Sequence, residues 1–340
     1  MFKFFHQAKG DIVCPSVNFG TMKSPHHLNS VAFSLLLMGM VGCTTLVEVD
    51  LPDIPPQGVM EASLRLDEAP LVLLTTTQGY FEATDASTLP ELFVGNAEVV
   101  MTVDGQDVEL PALCSGDLPP EALAAAADFL GVSLEVLTDF DLCVYTGLAE
   151  PSTYGLEGVE YGIRATWTEG EQSYDLSATT TMPSIPALDS SWFAIPPTST
   201  NDSLGLVWTA FTDPAGFGDA YRWSSKRLNK SEEFLYPLGS VFDDVFVDGL
   251  SFPFQSFRVS QPGEEEAAGE AGFWKVGDTV VVRLEAIDHE VFEVLRDFET
   301  SVSNQGNPFA LPSSASSNVE GGLGWFVAYA GVTDTVVCAP

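Results

Sequence analysis

The chain has 340 residues and a formal net charge of −35, with 13 basic side chains against 48 acidic ones. That balance excludes a basic groove for nucleic acid and direct adsorption to anionic lipid headgroups. With 45% hydrophobic and 11% aromatic residues, it is not a disordered acidic tail either.

The first landmark is the apolar run Val31 to Cys43, VAFSLLLMGMVGC, behind Lys23, His26 and His27. It is too short for a membrane-spanning helix, which needs roughly 20 apolar residues, and reads as the core of a signal peptide over 1–42. Asp11 and Pro15 interrupt residues 1–21, whereas Met22 opens a conventional leader, which points to translation starting at Met22. Met40-Val41-Gly42-Cys43 looks like a bacterial lipobox with Met40 in place of the usual Leu. Cys43 would then carry a diacyl group and palmitate and open the mature protein. The alternative is an ordinary signal peptide ahead of a buried cysteine. Beyond Cys43 the only lysines are Lys226, Lys230 and Lys275. An acidic, lysine-poor surface around a normal hydrophobic fraction points to a halophilic source, because salt screens the repulsion between carboxylates.

Residues 43–58 form a tether, broken by Asp50, Pro52, Pro55, Pro56 and Gly58. Strands are expected at Met60 to Leu66 and Leu71 to Thr77, with Asp67-Glu68-Ala69-Pro70 turning between them. Ala97, Val99, Met101 and Val103 share one face of a strand, and Asp104-Gly105 makes a hairpin turn into Asp107 to Leu110. Tyr161, Ile163, Ala165 and Trp167 alternate in another, which Glu169-Gly170 turns into Ser173 to Thr181. This spacing predicts an antiparallel sandwich of the immunoglobulin or transthyretin type over 59–186. Within it, 115–142 reads as a helical insertion: Asp117 caps a helix through Pro119-Pro120-Glu121 to Leu130, with Gly131 as its stop. Cys114 and Cys143 bracket it and are expected to pair, closing a loop of about 30 residues worth about 3 kcal/mol. Cys338 is left over.

Residues 187–203, rich in Pro and Ser, read as a linker to a second β-rich domain over 204–340, although one continuous sandwich is also open. Strands are expected at Leu204 to Thr212, Asp219 to Ser225 and Thr279 to Ala286. Ile287, Val291, Leu295 and Phe298 then repeat at helical spacing. Gly263 to Gly272 reads as a solvated acidic loop, and Trp325 to Val337 as a closing strand.

Few residues suggest chemistry. His289 is the only histidine after the leader, sits beside Asp288 and Glu290 at a helix start, and reads as a surface residue. Nucleophile-elbow, HExxH, Walker and dinucleotide patterns are absent. Gly321-Gly322-Leu323-Gly324 suits positive φ or close backbone approach. Asp243, Asp244 and Asp248 form the densest local set of oxygen donors and a weak Ca²⁺ candidate, against which turn-forming aspartates are favoured because EF-hand spacing is missing. Trp192, Phe193, Trp325 and Phe326 are candidate partner anchors, with core packing the blander use of each.

Several stretches in order resemble the Bacteroidetes-type lipoprotein family catalogued as domain of unknown function 4249. They are Cys43, LVLLTTTQGYF at 71–81, Gly95 to Val99, GVEYGIRATW at 158–167, SATTTMPSIPALDS at 177–190, DPAGFGDAYR at 213–222, FDDVFVDG at 242–249 and NPFALPSSASSNVEGGLGWFVAYA at 307–330. The resemblance implies an outer-membrane lipoprotein on its periplasmic or cell-surface face, a β-barrel TonB-dependent transporter as partner, and no cofactor or established catalytic residue. The acidity and the Cys-bracketed insertion depart from what the family suggests. The expectation is a non-catalytic accessory or ligand-binding partner of a transport system. The alternatives are a surface hydrolase working through acidic residues and a structural or adhesive envelope protein.

Overall fold

The computed structural model describes residues 55–78, 89–130, 134–140, 142–230, 233–261, 264, 269–304 and 316–339. The expected leader, Cys43 and the expected tether up to Ile54 lie outside the described residues, as does Gly131.

The fold is mainly β, built from largely antiparallel sheets, as the strand spacing predicts, with no closed barrel among the described residues. Sixteen strands are described. The first group is β1 (Gly58–Arg65), β2 (Leu71–Thr76), β3 (Glu98–Val103), β4 (Gln106–Glu109), β5 (Ala112–Cys114), β6 (Cys143–Thr146), β7 (Glu160–Glu169) and β8 (Gln172–Thr181). The second is β9 (Ala187–Ala194), β10 (Leu204–Thr212), β11 (Ala220–Arg227), β12 (Val241–Asp243), β13 (Ser251–Ser256), β14 (Trp274–Lys275), β15 (Thr279–Ile287) and β16 (Leu323–Val337). An eight-stranded sheet runs in the order β12-β11-β15-β16-β1-β2-β6-β5. One four-stranded sheet is β4-β3-β7-β8, and another holds β13, β10, β14 and β9.

The expected closing strand is central. The first part of β16 pairs in parallel with β1, Leu323 to Tyr329 against Val59 to Arg65. Its second part pairs antiparallel with β15, Ala330 to Val337 against Ala286 to Thr279. The stretches before and after residue 187 therefore share one sheet. The expected linker differs as well: β9 occupies its first half and pairs antiparallel with β10. The glycines around the start of β16 act as anticipated. A Cβ on Gly324, at φ +113°, would lie 2.0 Å from the Met60 carbonyl oxygen, so the first turn of this parallel pairing has no room for a side chain.

Alternation along these strands decides what each face of the large sheet covers. Met60, Ala62 and Leu64 of β1 and Phe326, Ala328 and Ala330 of β16 point to one face. There they pack with Val99 and Met101 of β3, Tyr161, Ile163 and Ala165 of β7, and Leu176 of β8. On the same face, β15 and the end of β16 meet the other small sheet, with Val280, Val282 and Val336 around Val207 and Trp274. Cys338 is buried there, its thiol pushed up to about 12 by burial and the neighbouring Asp278 carboxylate.

Three helices are described. Beside β2 and β6, α1 (Pro120–Leu130) and α2 (Leu134–Asp139) cover the opposite face, with Ala127 and Leu137 packed on Val144, Leu71 and Leu73. The first helix starts at Pro120, because Asp117 is used in a 3-10 turn and Pro120 has no N–H to cap. Cys114 and Cys143 face each other across β5 and β6 and form the expected disulfide. At the far end of the large sheet, Asp288 caps α3 (His289–Ser303) by accepting from the Glu290 amide at 2.9 Å. Val291, Phe292 and Leu295 bury its apolar side against Ala220, Ile287, Val327 and Tyr329.

Candidate functional site

Two loops meet at one corner. Residues 213–219 join β10 to β11, and 244–250 join β12 to β13. The Asp213 amide donates to the Leu250 carbonyl (3.0 Å), and the Gly249 amide returns a bond to Asp213 Oδ2 (3.0 Å). Asp244 Oδ2 accepts from the Gly218 (2.7 Å) and Asp219 (3.1 Å) amides, and Asp248 Oδ1 from Gly216 (2.6 Å). The two loops are thereby tied together in both directions, carboxylates on each accepting from amides on the other.

This brings Asp213, Asp244 and Asp248 together, with one oxygen from each lying within 4.8 Å of the others. Asp213 and Asp244 are almost fully buried. Of the residues expected from the sequence, Asp244 and Asp248 join the cluster, whereas Asp243 pairs with Ala220 on β12 and stays out of it. Asp213 was missed, being distant in sequence. The signal for it was the Asp/Gly pattern common to DPAGFGD and DDVFVDG. Asp219 lies close enough that burial, and then the charges of Asp213, Asp244 and Asp248, raise its carboxyl above the usual range. Three hard oxygen donors suit Ca²⁺ or Mg²⁺ better than a softer metal. Their amide bonds also give each aspartate a structural use that requires no ion.

Tyr221 joins this corner to an aromatic groove. Its hydroxyl donates to Asp213 Oδ1 at 2.6 Å, and burial together with that carboxylate holds the phenol far above its ordinary pKa. Its ring lies 5.4 Å from Phe242, which lines an open groove of about 430 Å³. Trp208, Trp223, Phe252, Phe254 and Phe257 supply most of the other walls, and the polar side chain among the lining residues is Gln255. Phe211 sits beneath, completely buried, in edge contact with Phe252 (4.7 Å) and Tyr221 (4.8 Å). Trp223 and Phe242 each approach Phe254, at 5.9 and 5.8 Å. These six aromatic walls come from β10 to β13 and the residue after β13, and antiparallel pairing is what assembles them.

Residues 233–240 form a strap that brings Leu238 and Gly239 to the groove rim. Glu299 of α3 holds it by accepting from the Gly239 (2.6 Å) and Ser240 (3.1 Å) amides and the Ser240 hydroxyl (2.5 Å). Tyr236 lies under the Arg222 guanidinium (3.7 Å) and donates to Glu285 Oε2 at 2.6 Å. Glu285 also pairs with Arg65. Arg283 covers Phe234 at 3.6 Å. All four of Arg65, Arg222, Arg283 and Glu285 project from the α3 side of the large sheet, opposite its apolar face.

The remaining expected residues fall elsewhere. Phe326 is fully buried in the core beneath β1, which corrects its place as a surface anchor: its position in β16 turns it to the apolar face. Trp325, one residue earlier, turns to the other face and meets Phe298 edge-on at 5.2 Å. Phe193 packs against the core of Val207 and Trp274. Trp192 is 40% exposed and stacks on Trp208, 6.4 Å away. His289 is exposed on the first turn of α3, its ring 5.7 Å from Phe292. Part of the acidic loop is not merely solvated, because Glu264 takes Arg227 (3.1 Å) and Arg258. Burial acts to raise the Glu264 carboxyl, but the Gln261 amide and both arginines outweigh it and hold the pKa low.

No helix among the described residues is long and apolar enough to cross a membrane. A search of curated proteins returned no match. The family model described as domain of unknown function, DUF4249, matches residues 44–335, most of the chain, and the chain belongs to that family.

Proposed function

We propose that this is a lipid-anchored outer-membrane protein that captures a small ligand without transforming it, as an accessory of a TonB-dependent transport system. The observation that carries the capture reading is the aromatic groove of about 430 Å³ between β10–β13 and the strap. Its walls offer contact area and one side-chain amide but no acid, base or nucleophile, which suits binding rather than bond breaking. The lipobox at Cys43 supports the anchor, with palmitate as part of the modification. The acidic surface supports a halophilic setting, in which stability rises between low and multimolar salt.

The test is to purify the tagged, lipidated protein from its own membranes in mild detergent and identify what accompanies it. A large β-barrel in stoichiometric amount, with Cys43 acylated, is the expected result. Recovery of the acylated protein alone overturns the transporter association, and an unmodified Cys43 overturns the anchor.

A further inference from the structure

We propose that the aromatic groove takes an organic cation with a quaternary ammonium head. This deepens the capture reading above and rests on it. Three observations select that chemistry. First, the walls are aromatic where aliphatic side chains would serve a merely greasy ligand. Trp208, Trp223, Phe242, Phe252, Phe254 and Phe257 line the groove, with Leu238 and Pro253 as the aliphatic side chains among them. Aromatic faces carry the negative part of a quadrupole, and a cation without N–H donors is the group they hold best. Second, the charge around the groove favours a positive guest. The protein carries a net −35, and Asp213, bonded to Tyr221, stands one ring behind Phe242 with Asp244 and Asp248 beside it. A field of that sign repels anions and raises the local concentration of cations. Third, the edge of the small sheet is poorly suited to the obvious competitor, an extended peptide. β13 pairs with β10 and forms the sheet's edge, but Pro253 in its middle has no N–H to offer an added strand.

The fold already uses the same contact next door, where Arg222 lies over Tyr236 at 3.7 Å and Arg283 over Phe234 at 3.6 Å. There the cation belongs to the protein and fixes the strap. In the groove Phe257 is exposed and Trp208, Phe242, Phe252 and Phe254 are partly so, while Trp223 is buried.

The experiment compares choline with 3,3-dimethylbutanol, its uncharged carbon isostere, on the full chain. Calorimetry and tryptophan fluorescence are read in about 1 M NaCl, so that long-range attraction is screened. The expected result is saturable choline binding about tenfold tighter than the isostere, weakened in the rim variants Trp208→Leu and Phe257→Leu, each assayed well below its own melting temperature. Equal binding of the isostere overturns the cation assignment and leaves capture of apolar groups standing. Choline binding that both rim variants retain places the site elsewhere and also overturns it. Absence of binding by either compound removes the capture reading together with this one.

Discussion

The two faces of the eight-stranded sheet are made by the same strands, and both bury apolar side chains, but only the α3 face adds a charged network to them. On the sandwich face, Met60, Ala62, Leu64, Phe326 and Ala328 make an apolar contact that tolerates no water. On the α3 face, their immediate neighbours along the chain include Arg65 and Tyr329, which enter the network of Arg222, Tyr236 and Glu285. Apolar burial is non-directional and tolerates small shifts of packed side chains, whereas the network works only while each charged group keeps its partner. The first face supplies most of the stability, and the second fixes where the strap and the groove rim stand.

Truncation on the apolar side is expected to have the largest effect. Phe211 is fully buried between four aromatic neighbours, so Phe211→Ala should cost about 3–5 kcal/mol, measured as a lower denaturant midpoint with the slope unchanged. On the charged side, Glu285→Ala leaves the Arg65 guanidinium and Tyr236 hydroxyl without their carboxylate and should cost about 3 kcal/mol or more. Replacing the pair, with Arg65→Met and Glu285→Leu together, should cost less than the single change. If the double variant is the weaker one, the pair stabilises the fold outright, and the contrast between the faces fails. Cys114→Ser with Cys143→Ser reopens a loop of 29 residues' separation and should cost about 3 kcal/mol, read by thermal unfolding, with α1 and α2 loosening before the sandwich. The smallest effect belongs to Asp288→Ala, which removes the cap of α3 for about 1 kcal/mol and should appear as faster amide exchange in the first turn of that helix.

The apolar face was the more legible one. Val99 and Met101, and Tyr161, Ile163 and Ala165, alternate within single strands, and local alternation survives into the fold because the sheet buries one side of it. The Asp104-Gly105 turn was readable for the same local reason, with both residues at positive φ, as such a hairpin requires. The pairing of β1 with β16 leaves no such trace, since residues at opposite ends of the chain carry no period in common. Phe326 and Trp325 looked alike in the sequence, and only the register of β16 sends one to the core and the other to α3. The candidate site was half legible. Asp244 and Asp248 lie on one loop, but Asp213 is delivered by another strand, and the groove draws on four strands. The stretch at 187–203 misled because its Pro and Ser residues flank β9 instead of replacing it.

The position of β16 also has a kinetic consequence. A growing chain delivers this strand after every other described one, yet it stands at the centre of the large sheet. Until it arrives, β1 and β15 each present a bare edge, and neither small sheet has its complete apolar floor. Contacts of such sequence separation form slowly, because the intervening chain must be ordered before they reward it. The protein is thus built to stay open while its chain emerges and to close in one late event, when a single strand zips two unfinished edges together.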